Sequence, residues 1–289
     1  MNKDELSALV ADILKGMEVP ATPCAVPKGE VEPARVAADV SNMDLRKLYM
    51  VEDPADGERF RKMKLRTPAR LGCGKAGARY KTLTMLRFRA DHAAAQDAVF
   101  SQVAEDFAER NGLVPVQTRC KDKDEYLTRP DLGRCFDAEN QRKIQSAVPT
   151  PPRVQVVVGD GLSSAAITAN AMDCLAAIRD GLKLKGIDMA QPLFVRYCRV
   201  GAGDAVGDIT GCELVCMLVG ERPGLVTDKS MSAYITYQPR TGVSESARTV
   251  ISNIHAQGTP AVEAGAAVAE LIDTILKRKV SGVALVAEV

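Results

Sequence analysis

The second half of the chain is constrained most by short apolar runs that alternate with longer amphipathic segments. The three runs are VQVVVGDG, LFVRYCRV and ELVCMLVG, which begin at residues 154, 193 and 213. Such runs are typical of strands that are buried on both faces. Because helices connect and cover the strands of a parallel sheet, this alternation predicts an α/β domain with a doubly wound, mostly parallel sheet.

Two long helices are predicted beside these strands. Residues 163–186 show helical periodicity, with Ser163 as the N-cap and Gly186 at the C-terminal end. Residues 259–279 form the second helix, with Pro260 in its first turn and three basic residues near its end.

The first half of the chain has a different pattern. Residues 43–112 show helical periodicity and predict a helical N-terminal domain, with one long helix over 85–107. The prolines at 149–152 and the extended run over 113–119 both offer a domain boundary. We place the α/β domain at 113–289, so that it follows the helical domain directly.

Two further segments precede the helical domain. Residues 1–17 have apolar side chains at helical spacing and predict an amphipathic helix, and residues 18–42 predict a proline-rich linker. A short amphipathic helix on an extended tether is typical of an element that docks into a groove on another protein. The alternative is a helix that folds back onto its own domain.

Charge and hydropathy exclude several classes of partner. The sequence has 38 basic and 37 acidic residues, which gives no reason to expect a nucleic acid or an anionic membrane. No apolar run approaches the roughly 18 residues that cross a bilayer, and the N-terminus lacks a secretory signal. We therefore expect a cytoplasmic protein.

Residues that often bind metals or attack substrates are sparse. The eight cysteines are scattered without a CxxC motif, which is typical of reduced thiols packed in a core. His92 and His255 lie far apart, so a zinc site or a histidine-based triad is not predicted. The GxGxxG match at 72–77 follows a basic, proline-broken segment instead of a strand, so it indicates a contact loop or a helix lead-in rather than a dinucleotide site.

A candidate binding site follows from the ends of the strands. In open α/β sheets, ligands bind beyond the carboxyl ends of parallel strands. Glycine-rich turns at 159–161, 199–204 and 220–224 share one edge of the predicted sheet, and their glycines would let backbone approach a ligand. Asp160 and Glu221 can accept hydrogen bonds there. Ordinary turn chemistry is the alternative, although three such turns on one edge favour a site.

Seven segments carry a resemblance to a known family, in order and over roughly residues 66–285. They are RTPARLGCGKAGARYKTLTMLRFRADHAAAQDAVF, LTRPDLGR, VQVVVGDGLSSAAI, LFVRYCRV, GERPGL, AYITYQPR and ISNIHAQGTP. Together they resemble the small subunit of ethanolamine ammonia-lyase. The resemblance implies an adenosylcobalamin-dependent lyase that converts ethanolamine to acetaldehyde and ammonia.

The resemblance also implies an architecture and an assembly. In the family, the large subunit is a TIM barrel that holds the substrate, and the small subunit contacts cobalamin where the two chains meet, in an assembly of six of each. The small subunit is expected to have a helical N-terminal domain followed by a Rossmann-like α/β domain. Such enzymes are packed into bacterial microcompartments, and the helix over 1–17 resembles a segment that binds a shell protein.

Three positions correspond to cobalamin contacts of the family. They are Val200, which ends LFVRYCRV, Glu221 of GERPGL, and Val250, which precedes ISNIH and replaces a cysteine of the family. No catalytic residue and no metal ligand is carried over. The DxHxxG motif is absent from this sequence, so we expect cobalamin to keep its own base on the cobalt.

Two other functions remain open. A non-catalytic scaffold or docking subunit of a microcompartment would explain the helix over 1–17 but not the three glycine-rich turns. A stand-alone Rossmann-like enzyme that uses NAD or FMN would need a phosphate-binding loop, which the sequence lacks.

Overall fold

The computed structural model describes residues 40, 43–44, 46–47 and 49–287. The predicted helix over 1–17 and nearly all of the predicted linker over 18–42 lie outside these residues. The first described elements are a helix, a two-stranded hairpin and two further helices. They are α1 (Gly57–Lys64), β1 (Lys75–Ala76), β2 (Arg79–Tyr80), α2 (Thr82–Phe100) and α3 (Phe107–Arg110).

The segment over 72–77 leads into this hairpin. It follows α1 and a loop, so the prediction that no strand precedes the GxGxxG match is confirmed. Positive φ angles of 62° at Gly72, 70° at Gly74 and 63° at Gly77 explain why glycines occupy these positions.

The helix predicted over 85–107 is in fact two helices. α2 ends at Phe100, and Ser101 is extended with φ −65° and ψ 160°. The interruption has a tertiary cause, because the Val103 N–H donates to Asp160 Oδ2 at 3.1 Å and the Val103 side chain is buried in the core. The prediction of one continuous helix is wrong because helical periodicity does not reveal this long-range contact.

The remaining elements build the sheet and the helices that cover it. They are β3 (Val114–Gln117), α4 (Lys123–Thr128), α5 (Ala138–Ala147), β4 (Val154–Asp160), α6 (Ser164–Leu184), β5 (Leu193–Arg196), α7 (Ala202–Thr210), β6 (Leu214–Gly220), β7 (Met231–Tyr237), β8 (Arg248–Ile254), α8 (Ala261–Arg278) and α9 (Val283–Ala287). The strand order is β3-β5-β4-β6-β7-β8. The adjacent strands β3, β5, β4 and β6 pair in parallel in this order. Strand β7 pairs antiparallel with both β6 and β8. The described residues therefore form an α/β structure with a mixed six-stranded sheet.

The central strands are buried because helices cover both faces of the sheet. All seven residues of β4 and all seven of β6 are buried. Helices α6 and α8 pack on one face, and α5 and α7 pack on the other.

The boundary at residues 112 and 113 between a helical and a Rossmann-like domain stays a prediction.

Helix α6 begins and ends where its sequence predicts. The Ser163 hydroxyl accepts a hydrogen bond from the Ala166 N–H at 3.0 Å, which satisfies one of the free donors of the first turn. Gly186 follows the last turn with a φ of 66°, a conformation that stops a helix at little cost in a glycine.

Burial sets the chemistry of the cysteines. The seven cysteines in the described part of the chain are free thiols, and six of them are buried. Burial raises the pKa of Cys212 to about 11 and the pKa of Cys174 to about 12. These thiols therefore stay protonated at neutral pH, which agrees with the predicted packing role.

None of the helices among the described residues has the length and apolar character of a membrane span.

Candidate functional site

The three glycine-rich turns meet at one edge of the sheet. β4 lies between β5 and β6 and is parallel to both, so the turns that follow these strands lie side by side. A cleft of about 160 Å³ opens between them. It is lined by Tyr126, Leu162, Cys198, Arg199, Val200, Val219, Gly220, Glu221, Arg222, Ser232 and Tyr234. Two of the residues singled out from the sequence, Val200 and Glu221, therefore share one cleft.

Two glycines of these turns allow close contact between the strand ends. Neither Gly161 nor Gly220 has a positive φ. A Cβ built on Gly220 would lie 2.4 Å from the Ser163 carbonyl oxygen, and one built on Gly161 would lie 2.6 Å from the Cys198 carbonyl oxygen. The sequence-based expectation that such glycines admit a ligand is wrong at these two positions, because the space is already filled by backbone.

Glu221 is held by the strands beside it. Its N–H donates to the Ser230 carbonyl oxygen at 2.9 Å. Its Oε1 accepts from the Ser232 hydroxyl at 2.6 Å and from the Asn253 N–H at 2.8 Å. Burial acts to raise the pKa of Glu221, but hydrogen bonds such as those from Ser232 and Asn253 lower the pKa by more, so that it lies below the ordinary value. The carboxylate is therefore ionised at neutral pH and can only accept hydrogen bonds.

A β-bulge brings Asn253 to Glu221. The register between β7 and β8 shifts between Met231 and Ala233. Asn253, near the end of β8, has a positive φ of 62°. A bulge of this kind redirects the backbone groups beside it. Here the Asn253 N–H is directed to the carboxylate.

Arg199 borders the same cleft from the turn after β5. Its Nη2 donates to the Tyr126 carbonyl oxygen at 2.8 Å, and its guanidinium carbon lies 4.2 Å from the centroid of the Tyr126 ring. Its Nε is buried and has no hydrogen-bond partner among the described residues. Sequence reasoning missed this residue, although a basic side chain directly before Val200, at the end of a strand, was a signal that could have found it.

Asp160 is not available to a ligand. It is 2% exposed, and both of its carboxylate oxygens are used inside the protein. Oδ1 accepts from the Ser164 hydroxyl at 2.6 Å, and Oδ2 accepts from the Val103 N–H. The role predicted for Asp160 as an acceptor at the site is therefore wrong, and its carboxylate fastens the end of β4 to α6 and to the segment after α2.

Val250 lies beside the cleft and not in its lining. It pairs with Tyr234, a lining residue, across β7 and β8. Side chains of residues paired in this way lie on the same face of a sheet. Val250 is 44% exposed. The three residues predicted from the resemblance thus lie together, with Val200 and Glu221 in the cleft and Val250 at its margin.

A buried ion pair joins the elements that carry Val200 and Val250. Arg248 in β8 donates to both carboxylate oxygens of Asp204 in α7, and both distances are 2.8 Å. The side chain of Arg248 is 3% exposed and that of Asp204 is 10% exposed. Since Asp204 is in the first turn after Val200, and Arg248 lies two positions before Val250, the pair holds these two positions at a set spacing.

A larger cleft is a weaker candidate. It has a volume of about 390 Å³ and lies between α2, α6 and the loop after β6. Its acidic residue Asp91 is paired with Arg70 and Arg87 at 2.6 and 2.9 Å, and Asn170 donates to the Lys229 carbonyl oxygen at 2.8 Å. These contacts pair most of the groups, although Arg70 Nη1 is buried without a hydrogen-bond partner among the described residues. In the described residues, no group of three or more His, Cys, Asp or Glu side chains could hold a metal ion.

Comparison with known proteins identifies the family. The family model described as "Ethanolamine ammonia-lyase light chain (EutC)" matches residues 57–286, which is most of the chain. The chain belongs to the ethanolamine ammonia-lyase light-chain family. This membership confirms the resemblance carried by the seven sequence segments.

Curated members of the ethanolamine ammonia-lyase light-chain family are similar along most of their length. The ethanolamine ammonia-lyase small subunit of Clostridioides difficile (strain 630) is 61% identical over 247 residues, which cover 86% of this chain and 84% of that protein. The small subunit of Clostridium perfringens (strain ATCC 13124) is 57% identical over 258 residues, 89% of this chain and 88% of that protein. The small subunit of Listeria monocytogenes serovar 1/2a is 52% identical and covers 99% of this chain and 100% of that protein.

Proposed function

We propose that this chain is the small subunit of an adenosylcobalamin-dependent ethanolamine ammonia-lyase, which converts ethanolamine to acetaldehyde and ammonia. It acts only together with a large subunit, in an assembly of six copies of each chain. The observation that carries the proposal is the cleft at the carboxyl edge of the sheet, in a chain of this family, with an ionised Glu221 and the side chain of Arg199 on its walls. The name "small subunit" of the relatives supports a large-subunit partner.

The residues of the cleft fit a corrinoid. Cobalamin carries peripheral amides, whose N–H groups suit the Glu221 carboxylate and whose carbonyls suit a guanidinium. No histidine is among the lining residues, which suits a cobalamin that keeps its own base on the cobalt. When bound, adenosylcobalamin supplies radical chemistry through homolysis of its cobalt–carbon bond.

Val200, Glu221 and Val250 would hold the cofactor from the side of this chain. Hydrogen bonds from Ser232 and Asn253 to Oε1 keep the Glu221 carboxylate in one orientation beside the cleft, where it can accept from the ligand. The exposed Val250 side chain, where the family has cysteine, would keep an apolar contact and exclude water without offering a thiol. Substrate binding is assigned to the large subunit.

The proposal is tested by measuring acetaldehyde formed from ethanolamine in the presence of adenosylcobalamin. The assay compares this chain alone, the large subunit alone and the mixture. We expect product only from the mixture. If both chains are folded and associated and the mixture is still inactive, the proposal is wrong and the non-catalytic scaffold role is favoured.

Replacing Glu221 with alanine is expected to weaken cobalamin binding by about 1–3 kcal/mol, because a charged hydrogen bond to the ligand is lost. The measurement is a spectroscopic titration of the assembled enzyme with cobalamin. Glu270→Ala is the matched control, since Glu270 is 71% exposed on α8, away from the cleft. Unfolding of both variants is followed in parallel, because Glu221 also accepts from Asn253. Unchanged affinity in a folded Glu221→Ala variant would contradict the assignment.

Residues 1–17 are proposed to bind a shell protein and so direct the enzyme into a bacterial microcompartment within the cytoplasm. Deleting residues 1–20 is then expected to leave the activity of the mixed subunits intact, to abolish encapsulation and to raise solubility. Co-sedimentation with purified shells measures encapsulation. Shell association that survives the deletion would show that this segment is not the targeting element.

A further inference from the structure

We infer that residues 57–100 form an arm that docks on the large subunit, against a face that combines apolar residues with an excess of Asp and Glu. The arm consists of α1, the hairpin of β1 and β2, and α2. This inference rests on the proposed function because it requires a large subunit. It assigns the surface of this chain that binds that subunit and the chemistry of the face that it meets.

The arm stands outside the hydrophobic core. None of the three hydrophobic clusters of the described residues contains a residue of the arm. Only two of the 19 residues of α2 are buried, whereas nine of the 21 residues of α6 are buried, and all four residues of the hairpin are exposed. Helices in proteins gain most of their stability from the packing of an apolar face, and an isolated two-stranded hairpin is marginal in water. The arm therefore has surface that a partner can cover.

Large apolar side chains are exposed on the arm. They are Met63, Leu65, Tyr80, Met85, Leu86 and Phe100. The side chain at position 100, at the end of α2, belongs to a residue that is 60% exposed. Single exposed apolar residues are ordinary in a monomer, but their concentration on one small segment is typical of a surface that binds another protein.

Positive charge is concentrated on the same segment. The arm has 11 of the 38 basic residues of the sequence and 3 of its 37 acidic residues, which leaves 27 basic and 34 acidic residues elsewhere. Four of the basic side chains of the arm form ion pairs among the described residues. Arg66, Arg79 and Arg89 are exposed and take part in none of these pairs. A surface with this excess of positive charge is complementary to a partner face with excess negative charge.

The position of the arm favours the large subunit as its partner. Arg70 donates from Nη2 to the carbonyl oxygen of Leu225, in the loop after β6. At the other end of the arm, α2 leads to Val103, whose N–H donates to Asp160 at the end of β4. Leu225 and Val226 are exposed as well. The arm therefore adjoins the carboxyl edge of the sheet, where the proposed function puts the junction with the large subunit, and one face of that subunit can cover both.

Two other occupants suit the surface less well. A two-fold symmetric dimer would bring the arm against its own copy, so that two basic surfaces would face each other. A nucleic acid would supply phosphates to the arginines, but its interfaces are more polar than those between proteins. It would leave apolar side chains such as Met63, Met85 and Leu86 without apolar partners. A protein face that is both acidic and apolar satisfies both features of the arm.

Charge reversal tests the electrostatic part of the inference. The affinity of the full-length chain for the large subunit is measured at low and at high salt, with saturating adenosylcobalamin throughout. One variant combines Arg66→Glu, Arg79→Glu and Arg89→Glu. It is expected to bind the large subunit at least about tenfold more weakly than the wild type at low salt, because like charges then face each other. Raising the salt concentration is expected to weaken the wild type more than this variant, since salt screens attraction between exposed charges.

The control variant reverses the same charge at three exposed arginines outside the arm. It combines Arg142→Glu, Arg179→Glu and Arg240→Glu. We expect the control to bind the large subunit as the wild type does. An equal loss of affinity in the two variants would mean that overall charge, and not the arm, decides association, and the inference would be wrong.

A single replacement tests the apolar part. Leu86→Gln is expected to weaken association about tenfold at both salt concentrations, because it removes an apolar contact at the centre of the interface. Leu184→Gln is the matched control, since Leu184 is an exposed leucine at the end of α6 and outside the arm. Both leucines are exposed in this chain, so neither change is expected to disturb its folding. Equal affinity of the two variants would contradict an apolar contact through α2.

Amide hydrogen exchange locates the contact and separates this inference from the proposed function. Exchange is measured for the full-length chain alone and in the mixture with the large subunit, and we expect it to slow across the arm in the mixture. If the mixture turns over ethanolamine while exchange in the arm is unchanged, the arm is not the docking surface and the proposed function stands. If the chain alone forms a dimer in which the arm is already protected, the partner is a second copy and the inference is wrong. If the two folded subunits do not associate at all, the proposed function fails and the inference fails with it.

Discussion

Replacing Asp204 with alanine is expected to lower the free energy of unfolding by about 3–5 kcal/mol, because the buried Arg248 keeps only the largely exposed Glu245 as an ionic partner. The Arg248 side chain is only 3% exposed and donates to both oxygens of Asp204. Those hydrogen bonds raise the pKa of Arg248 further above its already high ordinary value, so the guanidinium stays charged. It cannot shed its proton when the carboxylate is removed. Urea unfolding of the wild type, of Asp204→Ala and of a control variant at an exposed ion pair measures the effect.

The second variant is Asp131→Ala, which removes the same chemical group from an exposed pair. Asp131 also receives two hydrogen bonds from an arginine, Arg129, at 3.0 and 2.8 Å, but the two side chains are 61% and 58% exposed. Exposed pairs contribute little to stability, so we expect a much smaller loss in Asp131→Ala than in Asp204→Ala. Equal losses in the two variants would mean that burial of Asp204 does not matter.

A double replacement separates the charge from the space that it fills. Combining Asp204→Leu with Arg248→Met is expected to recover most of the stability lost in Asp204→Ala, because apolar residues of similar volume remove both buried charges. The double variant also reports on the site. If the ion pair sets the spacing of Val200 and Val250, cobalamin affinity falls even where stability is restored.

Replacing Gly220 with alanine is expected to lower the free energy of unfolding by about 1–3 kcal/mol, through overpacking. The added Cβ would lie 2.4 Å from the carbonyl oxygen of Ser163. That oxygen belongs to the backbone, and the Ser163 hydroxyl caps α6, so the contact cannot be relieved by rotating a side chain. The start of the helix or the end of β6 has to move instead.

Gly224→Ala tests whether this effect comes from contact. Gly224 is in the same turn, and nothing lies within 4 Å of a Cβ built on it. Neither glycine has a positive φ, so backbone strain is equal in the two variants. We expect Gly224→Ala to change stability by no more than about 0.5 kcal/mol. Thermal unfolding of both variants decides, and a loss at Gly224 as large as that at Gly220 would contradict the explanation.

The parallel part of the sheet could be predicted because burial on both faces leaves a strong pattern. β4 and β6 are continuous apolar runs, and Ser163 and Gly186 mark the ends of the helix between β4 and β5. The turns after these strands therefore shared an edge already in the sequence-based topology. The resemblance selects positions 200 and 221, both of which lie in turns at that edge, and the structure brings them into one cleft.

The antiparallel part could not be predicted in the same way. β8 reads RTVISNI, and several of its residues are exposed, so its apolar pattern is weak. Its antiparallel pairing with β7 is therefore absent from the sequence-based topology. The bulge that turns the Asn253 N–H to Glu221 depends on this pairing, and so does the position of Val250.

The roles of individual polar side chains were the least predictable part of the site. Asp160 and Glu221 both lie at the ends of buried strands. The carboxylate of Asp160 accepts hydrogen bonds from Val103 and Ser164, whereas Glu221 borders a cleft. Arg199 stands out only once its buried Nε is seen to lack a partner among the described residues. Such assignments depend on which long-range hydrogen bonds form, and that information is spread over distant segments of the chain.

The bulge between β7 and β8 also limits where the chain can change in length. Since side chains alternate along a strand, deleting one residue within β8 would turn Arg248 and Val250 towards the opposite face and bring Thr249 and Ile251 to the side of the cleft. The loop over 238–247, which is mostly exposed, joins the two strands and can gain or lose residues without that exchange. Insertions and deletions are therefore expected to collect in this loop and to be excluded from the edge strand that follows it.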